Sequence, residues 1–245
     1  ALLVKLDVPA NLSMKSNDVE DEFDLNQNTD SESSVDLFDF YSSIIQSSNP
    51  GVNIDFDVNG VLHLLGISGW LNEAFAINEK DEYNDTIIAL WKDQTGEKIV
   101  KSYIGSTSPG KFAKFYNTKG DANLVPGRYA YKRGKHNGYD ALVQADEFTV
   151  WRDKNKSGIR TDSSLVETGW FGINLHAGGT GSNVKNWSVG CQIIWGGRDA
   201  GSPFDLFMQD VESLVVPDEL VYYTLVDSLN IPSLEDYRLS VGGDE

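Results

Sequence analysis

Residues 85–107 read DTIIALWKDQTGEKIVKSYIGST. Two β-prone runs flank a turn signal, DQTGE. The first is a short apolar run; the second, EKIVKSYIGST, alternates apolar and polar residues as a strand does. The same pattern continues on both sides, in GVLHLLGI (60–67), GRYAYKRG (127–134) and ELVYYTLVD (219–227). YDALVQADEFTVWRD (139–153) reads as one or two strands with a kink near Ala145 and Asp146. SPGK, LVPG, KHNG and DKNKSG punctuate the series with turn chemistry. Short strands at this spacing predict a mostly β domain with a few short helices.

Two segments depart from the strand pattern. SVDLFDFYSSIIQSS (34–48) places Leu37, Phe40, Tyr41, Ile44 and Ile45 at helical spacing, with Ser34 or Asp36 at its start. SPFDLFMQDVESL (202–214) offers Ser202 as an N-cap and Pro203 at the first helical position. Residues 11–34 are polar and acidic and read as a linker or loose insertion. The chain therefore divides into an N-terminal acidic segment with a short amphipathic helix (1–50) and a main domain (51–245). No internal repeat is visible.

The chain has 245 residues, enough for a self-sufficient core. A formal net charge of −17 argues against nonspecific binding of nucleic acid. The charge is uneven: Glu97 to Arg160 holds 13 Lys and Arg against 6 Asp and Glu, so a basic middle sits in an acidic chain. Such a middle could steer an anionic substrate or be a solvated face. No apolar stretch is long enough to cross a bilayer. The start, ALLVKLDVPANL, is too short and poorly flanked for a signal peptide.

One cysteine, Cys191, excludes an internal disulfide. It lies in GINLHAGGTGSNVKNWSVGCQIIWGG (172–197), which also holds His176, one of three histidines. A thiol needs a neighbouring base to become a nucleophile, and a glycine-rich loop can fold back to bring the two together. In that arrangement His176 would take the thiol proton and lower its pKa below the free value of about 8.5. Backbone N–H groups at Gly190 and Cys191 would hold an oxyanion, and the Ala177 carbonyl would fix the imidazole tautomer. Taken alone, one Cys and one His favour a small buried hydrophobe and a turn histidine.

INLHAGG followed by WSVGCQII changes that weighting, because it resembles the signature of L,D-transpeptidase catalytic domains. The matching positions are His176, Gly178, Gly179, Ser188, Gly190 and Cys191. A histidine usual between Ser and Gly is Val189 here, and an arginine usual two residues past the cysteine is Ile193. Over roughly residues 60–195 the chain is also similar to a branch found among phage and bacterial wall-active proteins, which tends to read Ser-x-Gly-Cys-Gln. The resemblance implies a β-sandwich-like fold and attack by Cys191 on L,D-peptide bonds of peptidoglycan stem peptides through a thioester. It implies action in the cell envelope, periplasm or outside the cell, without metal or organic cofactor. A different reading is a non-catalytic wall-binding or virion structural module that kept the fold.

Around this centre, Ser188, Trp187, His136, Asn174 and Arg152 are candidates to contact substrate, Arg152 or Arg198 by pairing with a stem-peptide carboxylate. Trp170 and Trp195 also flank the motif, more as core than as platform. His63 reads as a core or edge histidine. DKNKSG mimics the start of a calcium loop, but Ser164 stands where the bidentate Glu belongs, so it reads as a hairpin turn. No His/Cys spacing in the sequence suits zinc.

Overall fold

The computed structural model describes residues 2–4, 36–111 and 117–241. The acidic segment 11–34 lies outside them. The first elements are β1 (Leu2–Val4), α1 (Leu37–Ser47), β2 (His63–Ser68), the two-residue strands β3 (Trp70–Leu71) and β4 (Ala74–Phe75), β5 (Asp85–Lys92) and β6 (Lys98–Ser106). There follow β7 (Asp121–Leu124), β8 (Gly127–His136), β9 (Tyr139–Gln144), β10 (Phe148–Asp153), β11 (Val166–Gly169), β12 (Leu175–Ala177) and β13 (Gln192–Ile194). The chain ends in α2 (Pro203–Leu214), β14 (Val221–Asp227) and α3 (Leu234–Val241). The molecule is mostly β with a few short helices.

Eight strands follow one another around a ring, β6–β13–β12–β9–β8–β14–β2–β5, and β5 pairs back onto β6 over its whole length. The sheet thus closes on itself, and β1 adds to β6 in parallel. Closure through the β5–β6 hairpin leaves no edge between these eight strands. A separate three-stranded sheet, β11–β10–β7, stands beside it. The segment 139–153 therefore holds two strands, and the break at Ala145 to Glu147 is where the chain leaves the ring for the second sheet.

The apolar run in β5 reflects burial on both faces. Ile87, Ala89 and Trp91 face the larger core with Leu64, Tyr131, Leu142, Leu175 and Tyr223. Ile88 and Leu90 face the opposite way, with Leu65, Ile67, Trp70 and Val100. That second face is covered by α1, whose Phe38, Phe40, Tyr41, Ile44 and Ile45 are all buried. Asp36 caps α1 by accepting from the Phe38 N–H at 2.9 Å. α1 packs as a layer on the sheet, its apolar stripe covering one face of β2 and β5. Helix α2 closes the larger core through Phe204, Phe207, Met208 and Val211, with Ser202 accepting from Asp205 N–H. No helix among the described residues is long and apolar enough to cross a membrane.

Candidate active site

Strands β12 and β13 lie side by side in parallel, with Leu175 opposite Gln192 and His176 opposite Ile193. Parallel neighbours need a crossover, and here it is the glycine-rich loop from Gly178 to Cys191. The register puts Asn174 beside Cys191. The Gln192 N–H donates to the Asn174 carbonyl at 2.9 Å, and the Asn174 N–H donates to Cys191 Sγ at 3.4 Å. Two residues far apart in sequence thus arrive at the same end of adjacent strands.

The loop is held by side chains that contact no solvent. Ser188, 1% exposed, donates its hydroxyl to the Cys191 carbonyl at 2.7 Å and accepts from the Gly190 N–H at 3.1 Å. Ser188 is a staple of the turn, and the expectation that it contacts substrate is corrected. Gly190 has φ +153, and a Cβ there would stand 2.6 Å from the Ala122 carbonyl oxygen on β7. Glycine is required because two backbones meet at that point. The Gly190 N–H is spent on Ser188, which removes it as an oxyanion donor. The Cys191 N–H has no partner among the described residues and is the remaining donor. Below the loop, buried Gln192 accepts from the Tyr223 hydroxyl at 2.9 Å and donates to the Thr107 carbonyl at 3.3 Å.

His176 is buried, 2% exposed, and its Nδ1 donates to the Ala177 carbonyl at 2.8 Å. The hydrogen bond expected of Ala177 is present, and it leaves the lone pair on Nε2. The Tyr139 hydroxyl also lies 3.1 Å from Nδ1. His136 lies face to face with His176, ring centres 3.9 Å apart and planes 10° from parallel. Burial pushes the His176 imidazole down to about 3, with the neighbouring His136 ring acting in the same direction. Desolvation also lowers His136. Cys191 is half-buried, and desolvation pushes its thiol up to about 11. The sequence led to the opposite expectation, a lowered thiol. Among the described residues no cation is paired with Cys191, and burial favours a neutral thiol beside a neutral imidazole.

One donor atom each from His136, His176 and Cys191 falls within 4.8 Å of the others. Sequence spacing hid this cluster, because His136 comes from the β8–β9 hairpin. A zinc–nitrogen bond is about 2.0–2.1 Å and lies in the imidazole plane. Two rings stacked face to face aim their lone pairs along separate planes, so they would have to unstack before both could hold one ion.

Cys191 opens into a cleft of about 390 Å3 lined by Asn117, Gly120 to Ala122, Arg152, Trp170 to Ile173 and Val189 to Cys191. Its far wall is the three-stranded sheet. Arg152 lines it but is already engaged: its Nε donates to Glu167 at 2.7 Å, and its guanidinium sits 5.0 Å from the centre of the Phe171 ring. Arg152, expected as a substrate contact, thus lies in the cleft wall with its Nε paired to Glu167. Arg198 stands over the Tyr139 ring in a smaller hollow elsewhere. Trp187 also lies outside the cleft, its indole packed over Gly179, where a Cβ would meet Nε1 at 2.3 Å. Trp170, 64% exposed, is the tryptophan that does line it. Asn174, expected as a substrate contact, engages its side chain within the protein, with His136 Nδ1 at 3.0 Å and the Gln144 N–H at 3.1 Å.

No family model, curated protein or solved structure matches the chain.

Two side chains beside the cluster and the cleft escaped the sequence reading. The Tyr139 hydroxyl lies beside His176 Nδ1. Gln144 shapes the cleft: its Oε1 accepts from the N–H groups of Phe171, Gly172 and Ile173 at 2.8–3.1 Å, and its amide donates to the Asp146 and Gly169 carbonyls. Its only sequence signal is a glutamine closing a strand of buried residues. In DKNKSG, Asp153 accepts from the Ser157 and Gly158 N–H groups and from buried Lys80 at 2.6 Å, which completes a turn. His63 packs on Phe56, away from the cleft.

Proposed function

We propose that the chain is a cysteine acyl-transfer enzyme acting on L,D-peptide bonds of peptidoglycan stem peptides, of L,D-transpeptidase type. The observation that carries this reading is the His176 ring, held at Nδ1 by the Ala177 carbonyl, with a ring nitrogen within 4.8 Å of the Cys191 thiol at the head of a cleft. Because both groups rest neutral, the proton moves as the bond forms. Sγ attacks the carbonyl carbon while Nε2 takes its proton, and the oxyanion meets the Cys191 N–H. The oxyanion then collapses, the C–N bond breaks, and the departing amine takes the proton from Nε2. This leaves a thioester on Cys191. Water or an acceptor amine, deprotonated by His176, resolves it and restores the thiol. The Gln that follows Cys191, as in wall-active phage relatives of this signature, tilts the reading toward cleavage. The setting that fits such a substrate is the cell envelope or the outside of the cell.

A second reading is favoured by the raised thiol: a non-catalytic wall-binding or virion module that kept the pocket. Replacement of Cys191 by Ala separates the two. Under the first reading Cys191→Ala abolishes turnover of a tetrapeptide stem with the fold intact and leaves wall binding in place. Wild-type protein that binds wall but changes no muropeptide supports the second.

A further inference from the structure

We propose that His136 is a positioning residue for the Cys191–His176 pair, locked in place by Asn174. The inference rests on the reading of Cys191 and His176 as nucleophile and base. It replaces the expectation that His136 and Asn174 meet substrate.

The argument begins with Asn174. Its Oδ1 accepts from the Gln144 backbone N–H at 3.1 Å, which fixes the amide orientation, so Nδ2 must be the donor to His136 Nδ1 at 3.0 Å. His136 Nδ1 is therefore an acceptor, and a neutral ring then carries its proton on Nε2. The exposed Asn137 amide lies 3.0 Å from that Nε2, and a half-turn brings its oxygen to the proton. His176 has the opposite tautomer, with Nδ1 donating to Ala177. Two neutral rings of opposite tautomer lie face to face at 3.9 Å. Each ring's plane is set from a different place: that of His176 by the backbone of β12, that of His136 by Asn174.

Asn174 also donates its backbone N–H to Cys191 Sγ. One residue thus ties the thiol to the ring that backs the base. Without the His136 ring, the His176 side chain could swing about its last torsion, and water would reach the face now covered. Among the described residues, the titratable and charged groups around His176 are His136 on its face, Tyr139 beside Nδ1, Cys191 with its sulfur within 4.8 Å of a ring nitrogen, and Arg198 at 4.9 Å over the Tyr139 ring. Of these, only His136 can become a second charge on the ring's face, so it is the group that opposes protonation of the base.

The test uses the full chain in two arms. The first is imidazole nitrogen NMR at neutral pH, which is tractable with three histidines. It should show the proton of His136 on Nε2 and that of His176 on Nδ1, and His136→Phe should move the His176 titration point upward. The second is turnover of a tetrapeptide muropeptide. His136→Ala should lower kcat about 10- to 100-fold with little change in KM, the scale expected for a displaced catalytic group. His136→Phe, which restores a flat ring, should recover part of that loss, with melting curves confirming the fold of each variant. A His136 proton on Nδ1, an unmoved His176 titration, or a rise in KM alone overturns the proposal. If wild-type protein turns over no muropeptide, the acyl-transfer reading fails while the NMR arm still decides the role of His136.

Discussion

Cys191 and His176 sit in a site dry enough to keep both uncharged, and this has a kinetic signature. Desolvation raises the thiol to about 11, so alkylation by iodoacetamide should climb steadily from pH 7 toward pH 11. An inflection below about 8.5 would instead reveal a stable thiolate and contradict the neutral pair. The sequence singled out Cys191 and His176 as a candidate pair because the two scarcest reactive residue types share one glycine-rich segment. It misjudged their charge, because burial is a property of the closed ring of strands and not of the local spacing. It also assigned Arg152 and Asn174 to substrate, since neither the Glu167 partner of the one nor the His136 partner of the other is near it in sequence.

At the scale of elements, the strand runs that alternate or carry β-branched residues were legible, and so were both capped helices. Less legible were β7, only four residues long with Asp121 and Asn123 buried beside the core residues Ala122 and Leu124, and α3, which has no fully buried side chain. The cleft wall from Gly169 to Ile173 has little regular structure of its own and depends on Gln144. Leu in place of Gln144 would leave three N–H groups and two carbonyls without that partner. At about 1–3 kcal/mol for each buried group left unpaired, and with partial rescue by water, the expected cost is about 3–5 kcal/mol. Urea unfolding checks it, and a loss below about 1 kcal/mol would show that the wall holds itself. The buried Lys80, paired with Asp153 on β10 and 3.6 Å from Asp121 on β7, ties two strands of the three-stranded sheet. Asp121 depends on that neighbour, since burial pushes its carboxyl up.

For the whole molecule, the ring closed by β5 and β6 and the layer supplied by α1 explain why a mostly β reading was accessible while the topology was not. Closure depends on which strands meet, and α1 looked like an appendage because an acidic segment precedes it. Packing also makes the fold sensitive to acid. His63 is lowered to about 4 and His176 to about 3, both mainly by burial. A group whose pKa falls on folding contributes stability that is fully present above its unfolded value of about 6.5 and lost as pH falls toward the folded value. Each such histidine adds a slope of about 1.4 kcal/mol per pH unit below pH 6. Asp85 and Asp121, raised by burial, act with the opposite sign nearer their own range. A difference measurement isolates the effect. His63→Phe should flatten the stability profile between pH 6 and 4.5 by about that slope; parallel profiles for the two proteins would show that His63 does not titrate on unfolding.

The acyl-transfer reading, which ties ring, loop and cleft together, is tested most directly by mass spectrometry of defined muropeptides after incubation with the full chain. The account predicts loss of the terminal D-residue from a tetrapeptide stem, or a new cross-link, together with an acyl adduct on Cys191. Cys191→Ala should show none of these. Unchanged muropeptides with wild-type protein, or equal products from Cys191→Ala, would contradict it.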